Sequence, residues 1–160
     1  MSWTVEEIPD QSGRVILITG ANSGIGLEAA SVLAERGAHV ILGCRDPHKG
    51  ETAQRQIAGS TELLTVDLSS LASVRAAAEA LHGRRLDVLI NNAGIMAVPQ
   101  EVSVDGHELQ FATNVLGPFA LTSLLLGQLA DRVVWVSSMM HRAGRLDLAD
   151  PSFRHHRYNA

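Results

Sequence analysis

Five short apolar runs alternating with helical patterns constrain this chain more than any other feature. Arg14-Val-Ile-Leu-Ile-Thr19 is β-branched and runs into a glycine, as a strand buried on both faces should. His39–Gly43, Thr61–Val66, Leu86–Ile90 and Arg132–Val136 read as four more strands. After the first, Ile25, Ala29, Val32 and Leu33 fall at helical spacing, and Gly37 stands where that helix should stop. Asp46 and Pro47 suit the N-cap and first position of a second helix reaching Ile57. Ser69 or Ser70 caps a third, whose inner face is Leu71, Val74, Ala78 and Leu81. A loop containing Pro99 precedes a long helix from about Gly106 to Ala130. This alternation implies an α/β fold, a doubly wound parallel sheet in a single domain over residues 1–160. Ligands on such sheets bind beyond the carboxyl ends of the strands, where strand order reverses. Site residues are therefore expected just after each strand.

Composition removes several classes of partner. The chain is 46% hydrophobic and 19% charged, as a globular domain is. A net charge of −4 and 4% aromatic residues give no footprint for nucleic acid. Cys44 is the single cysteine, so no internal disulfide forms, and a reducing, cytoplasmic location is expected. Met1–Asp10 carries acids and no apolar core, unlike a signal peptide. The most apolar stretch, Leu121–Leu129, is interrupted by Thr122, Ser123, Gly127 and Gln128, so no membrane span is expected. None of the seven histidines pairs at i, i+4 or joins a second cysteine, so no metal site is expected.

The first strand leads into Thr19-Gly-Ala-Asn-Ser-Gly-Ile-Gly26. Gly20, Gly24 and Gly26 permit a sharp turn and leave room for a pyrophosphate at the helix N-terminus, where free amides and the dipole favour an anion. A glycine-rich turn with no ligand is the alternative at this point. At the end of the second strand stands Leu42-Gly-Cys-Arg-Asp46. An acid there would accept from a ribose 2′-hydroxyl, whereas arginine would pair with a 2′-phosphate. Arg45 thus favours NADP(H) over NAD(H), unless it is only a solvated charge. Cys44 reads as a small filler rather than a nucleophile. If Asn114 is helical, Pro118 deprives its carbonyl of the usual amide, so the helix should be irregular there.

The G-x-x-x-G-x-G spacing resembles the T-G-x-x-x-G-I-G signature of the short-chain dehydrogenase/reductase family. Asn91-Asn-Ala-Gly94, Asn114-Val-Leu-Gly117, Ser137-Ser138 and Asp67-Leu68 all stand where that family would have them. The resemblance runs from Val15 to Ser138 and implies a Rossmann-type fold. It assigns cofactor contacts to Gly20, Asn22, Ser23, Gly24, Ile25, Gly26, Arg45, Asp67, Leu68, Asn91, Ala93 and Gly94. It also implies a catalytic hydroxyl on Ser138 and a water of the proton relay held at Asn114. A kink with only packing consequences is the other reading of Asn114, and a strand cap the other reading of Ser138.

The family's acid/base centre is a tyrosine followed four residues later by lysine. The one tyrosine, Tyr158, is followed only by Asn159 and Ala160. It either opens such a motif or lies upstream of one, and the Cys44–Asp46 strand end and Met139–Asp150 resemble the retinol-dehydrogenase-like branch, which favours the second reading. The sheet is accordingly expected to be truncated after the fifth strand, leaving an open edge, with the family's C-terminal part lacking. The resemblance implies an NADP(H)-dependent oxidoreductase of a small-molecule alcohol or carbonyl, present as its cofactor-binding N-terminal portion and inactive by itself, with a homo-oligomer left open. A non-catalytic dinucleotide-binding module is the alternative. Arg154-His-His-Arg157 reads as a solvated stretch.

Overall fold

A computed structural model of the chain describes residues 4–142, 147, 149–155 and 158. Five parallel strands form one sheet: β1 (Val15–Thr19), β2 (His39–Cys44), β3 (Ser60–Thr65), β4 (Leu86–Asn91) and β5 (Leu129–Trp135). Their order is β3-β2-β1-β4-β5. The chain therefore builds outward from β1 in one direction, returns, and builds outward from β4 in the other. The reversal falls between β1 and β4, which pair through Ile16–Val88, Leu17–Leu89 and Ile18–Ile90.

Each strand sends alternate side chains to opposite faces. Ile16, Ile18, Val40 and Leu42 join one core layer with Ala30, Ala34 and Ile57. Leu17, Ile41 and Leu89 join the other with Val74, Leu81, Leu121 and Leu125. Helix α1 (Gly24–Glu35) closes the first layer, and α3 (Leu71–Ala80) lies on the second. Helix α2 (Pro47–Gln54) is shorter than its expected extent to Ile57, but its start is as read: Asp46 Oδ1 accepts from the amides of His48 and Lys49. On α3 it is Ser70 that caps, accepting from the amide of Ser73.

Two expectations about helices change. Helix α1 buries Gly26, Ala30 and Ala34, while Ile25 is 73% exposed. Small residues let the helix axis approach the sheet, with Ala29 and Leu33 packed partly buried beside them and Ile25 turned outward. The long helical run spans Leu109–Gln128, 20 residues with a mean hydropathy of 1.4, and is long and apolar enough to cross a membrane. The polar interruptions noted above do not shorten it. Its residues Leu121 and Leu125 are fully buried in the core layer on one face of the sheet.

That run is not uniform. It begins as α4 (Leu109–Phe111), becomes a π-helix over Ala112–Leu116, and continues as α5 (Gly117–Leu125) and a 3₁₀ turn. The irregularity expected from Pro118 is thus a π-bulge, a common site of function within helices. Gly117 adds a packing reason: a Cβ there would lie 2.1 Å from the Leu68 carbonyl oxygen. The glycine brings α5 hard against the loop that carries Asp67 and Leu68. Strand β5 ends the sheet among the described residues, with Val134 and Trp135 38% and 48% exposed.

Candidate active site

Two clefts open at the carboxyl ends of the strands on either side of Asn92–Ile95. The first, of about 330 Å³, is lined by Gly20, Asn22, Ser23 and Ile25 after β1, by Arg45 after β2, and by Asp67 and Leu68 after β3. Asn92, Ala93 and Gly94 complete it from the end of β4. It therefore sits at the reversal of strand order.

The three glycines of the loop after β1 do three different things. Gly20 and Gly24 have φ of +69° and +55°, a backbone region that side chains rarely adopt. Around Gly24 a Cβ would meet no protein atom within 4 Å. At Gly26 a Cβ would sit 2.5 Å from both the Gly20 carbonyl oxygen and Asn92 Nδ2, so this glycine serves close packing. Neither Gly24 nor Gly26 lines the cleft itself. Ser23 makes no side-chain cap on α1, in contrast to Asp46 and Ser70 on the next two helices. The first amides of α1 are thus left with the dipole's positive end and no internal acceptor.

Asn92 was not among the residues assigned from sequence, yet it holds this loop. Its Nδ2 donates to the Thr19 carbonyl at 2.9 Å, and Thr19 Oγ1 accepts from the amides of Asn92 and Ala93 at 3.1 Å. Its neighbour Asn91 is buried, donates from Nδ2 to Thr122 Oγ1, and lines the second cleft rather than the first. The signal for Asn92 was present in Asn91-Asn-Ala-Gly94, but strand alternation decides which asparagine faces the loop, and that depends on where β4 ends. Asp67 Oδ1 accepts from the amide and hydroxyl of Ser69, which fixes the turn after β3.

The second cleft, of about 480 Å³, gathers Asn114, Gln110 and Pro118 from the long helix with Trp135, Ser137, Ser138 and His141 after β5. Asn114 clamps the shared wall: Oδ1 accepts from the Ile95 amide and Nδ2 donates to the Ile95 carbonyl, both at 2.8 Å. Ser138 and Asn114 are therefore brought to one cleft, adjoining the one that gathers the glycine loop.

Two other residues are placed away from this chemistry. Cys44 is buried, and burial pushes its thiol up to about 11. Tyr158 lines neither cleft; its hydroxyl donates to the Val98 carbonyl and meets Gln110 Nε2. Burial, with the Glu108 charge adding, raises its pKa above the ordinary value. Arg154 is not simply solvated, since its guanidinium donates to the Gly106 carbonyl and its amide to Asp150. His156 and Arg157, like part of Met139–Asp150, lie outside the described residues.

Residues 14–149 match the family model for short chain dehydrogenases. The chain belongs to the short chain dehydrogenase family. This short chain dehydrogenase is retinol-dehydrogenase-like: it is 42% identical to retinol dehydrogenase 13 of Homo sapiens over 158 residues, 92% of this chain and 48% of that protein. It spans about half the length of the curated relatives it matches. A crystal structure of an uncharacterized protein from Mycobacterium paratuberculosis is 52% identical, with a TM-score of 0.94 over 99% of this chain and 58% of that one. More distant structures include the Pseudomonas aeruginosa RhlG/NADP active-site complex, 30% identical with a TM-score of 0.74, covering 89% of this chain and 61% of that one. A 3-ketoacyl-(acyl-carrier-protein) reductase from Brucella melitensis complexed with NADH is 32% identical with a TM-score of 0.71, covering 88% and 63%.

Proposed function

We propose that this short chain dehydrogenase holds NADP(H) in the first cleft and takes part in interconverting an alcohol and a carbonyl in the second. The observation that carries this reading is the shared wall Asn92–Ile95, which places the glycine loop on one side and Ser138 with Asn114 on the other. The donor set fits a dinucleotide: uncapped amides at the start of α1 for the pyrophosphate, Asp67 and Leu68 beside the adenine end, and Ala93 and Gly94 near the second cleft. A bound nicotinamide dinucleotide would supply the hydride acceptor or donor. The Ser138 hydroxyl would hydrogen-bond the reacting oxygen as charge develops on it, and Asn114 would hold the wall between the two clefts.

The preference for NADP(H) rests on Arg45. It is exposed and lines the first cleft, whereas Asp46, the acid beside it, caps α2. Loss of a charge-assisted contact of this kind costs about 1.5–3 kcal/mol, or roughly one to two orders of magnitude in affinity. Arg45→Ala is expected to shrink the calorimetric gap between NADP(H) and NAD(H) by that much. Equal affinity of the wild type for both would overturn the preference.

Proton transfer needs a group tuned toward the working pH, and Tyr158 is shifted the other way and lies elsewhere. Residues 1–160 alone are therefore expected to bind the dinucleotide without useful carbonyl reduction. A longer chain supplying a tyrosine–lysine pair should reduce aldehydes or ketones, and Ser138→Ala should lower its turnover by about 10²–10³. Full turnover by the serine variant would remove Ser138 from the reaction.

A further inference from the structure

We infer that His141 is a ligand-binding residue of the second cleft, presenting Nε2 as a hydrogen-bond acceptor to the hydroxyl of an alcohol. The inference rests on the reading of that cleft as the place of the alcohol or carbonyl. His141 lies in a 3₁₀ turn, Met139–Arg142, directly after Ser138. The Ser138 carbonyl oxygen accepts from the His141 amide at 3.2 Å, and His141 Nδ1 lies 2.5 Å from the same oxygen. A carbonyl has no proton to give, so Nδ1 must carry one. In the neutral ring the lone pair is then on Nε2, at the opposite edge, and Nε2 has no protein partner among the described residues.

The rest of the lining leaves this role open to few groups. No Asp, Glu, Lys or Arg lines the second cleft among the described residues, and His141 is its one histidine. The side-chain amides of Asn91, Asn92 and Asn114 donate from Nδ2 to Thr122, Thr19 and Ile95, and Gln110 Nε2 meets Tyr158, while Asn91 Oδ1, which has no partner among the described residues, is buried and offers a ligand no accessible surface. Ile95, Met96, Trp135 and Val136 supply apolar walls. A mostly apolar cleft with a few fixed polar groups suits a ligand with an apolar body and one polar end. An alcohol can donate to Nε2, whereas the matching aldehyde cannot. His141 therefore favours the alcohol over the carbonyl in the bound state.

The test is nitrogen-15 NMR of the histidine rings of the protein saturated with NADP⁺, with benzyl alcohol and benzyl methyl ether as paired probes. His141→Asn serves both to assign the signal and as a control. An asparagine amide can keep the bond to the Ser138 carbonyl but offers no acceptor at the position of Nε2. The expected result is an Nδ1–H tautomer at His141, an Nε2 shift that moves with the alcohol and not the ether, and alcohol binding about tenfold weaker in His141→Asn, the worth of one neutral hydrogen bond. An Nε2–H tautomer, an Nε2 signal indifferent to the alcohol, or unaltered binding by His141→Asn would overturn the inference, the last because the residue would then serve the turn alone. Failure of NADP⁺ to bind at the outset would instead strike the reading of the first cleft, and the tautomer is measured without it.

Discussion

At the residue scale, Gly24 and Gly26 separate two uses of glycine that the motif alone merges. Gly24 needs a left-handed backbone but has open space at its Cβ, while Gly26 has an ordinary backbone and no space at all. Gly26→Ala forces the Gly20 carbonyl and Asn92 apart and is expected to destabilise the fold by about 1–3 kcal/mol. Gly24→Ala should cost only about 1 kcal/mol, from the left-handed backbone, yet weaken dinucleotide binding by disturbing the turn that carries Asn22, Ser23 and Ile25 into the cleft. Denaturant unfolding of both variants beside a nucleotide titration checks this; equal destabilisation by the two would contradict it. The glycine positions were legible in the sequence because spacing alone carries them. Their division of labour was not, because it depends on Asn92, 66 residues away from Gly26 along the chain, reaching the loop from β4.

At the scale of elements, the strands and their order of appearance followed from apolar runs, and the capping of α2 by Asp46 followed from a short polar side chain before proline. The helical spacing of Ile25, Ala29, Val32 and Leu33 marked α1, and Ala29 and Leu33 do pack on the core; the deepest contacts, at Gly26, Ala30 and Ala34, come from close helix–sheet packing that spacing alone does not show. The consequence of Pro118 was foreseeable as an irregularity, because a missing amide is local chemistry. Its form as a π-helix over Ala112–Leu116 depends also on Gly117 meeting Leu68. The bulge is where Asn114 reaches Ile95, so Asn114→Ala should free the Ile95 amide. Hydrogen exchange at that amide is expected to speed up by about tenfold, in line with loss of about 1 kcal/mol of local protection, with the amides of β1 unaffected. Unaltered exchange at Ile95 would show that the clamp does not hold the loop.

At the scale of the whole molecule, the end of the sheet opposite the clefts is tied by charge. Asp87, 6% exposed at the start of β4, accepts from the Val15 amide at 2.9 Å and from the Arg85 guanidinium at 2.8 Å. The amide bond chiefly, then Arg85, holds its carboxyl below the ordinary aspartate value. A carboxylate whose folded pKa lies below its unfolded one stabilises the protein above about pH 4, and that contribution is lost as pH falls through the folded value. Asp87→Asn is expected to cost about 1–3 kcal/mol at pH 7, with the gap to wild type closing below about pH 4. A gap constant from pH 7 to pH 3 in denaturant unfolding would contradict this coupling of β1 to β4.

At the other end of the sheet, the glycine loop, Arg45, Asp67 and the Asn92–Gly94 turn meet at the crevice between β1 and β4. The central claim is that this crevice holds a nicotinamide dinucleotide. The most direct measurement is calorimetric titration of NADPH into the folded protein, with circular dichroism recorded on the same sample. The account predicts one saturable site per chain, competed by NADP⁺ and weakened in Gly24→Ala. A protein with the far-ultraviolet spectrum of an intact α/β fold that takes up no NADPH, NADP⁺ or NADH would contradict it.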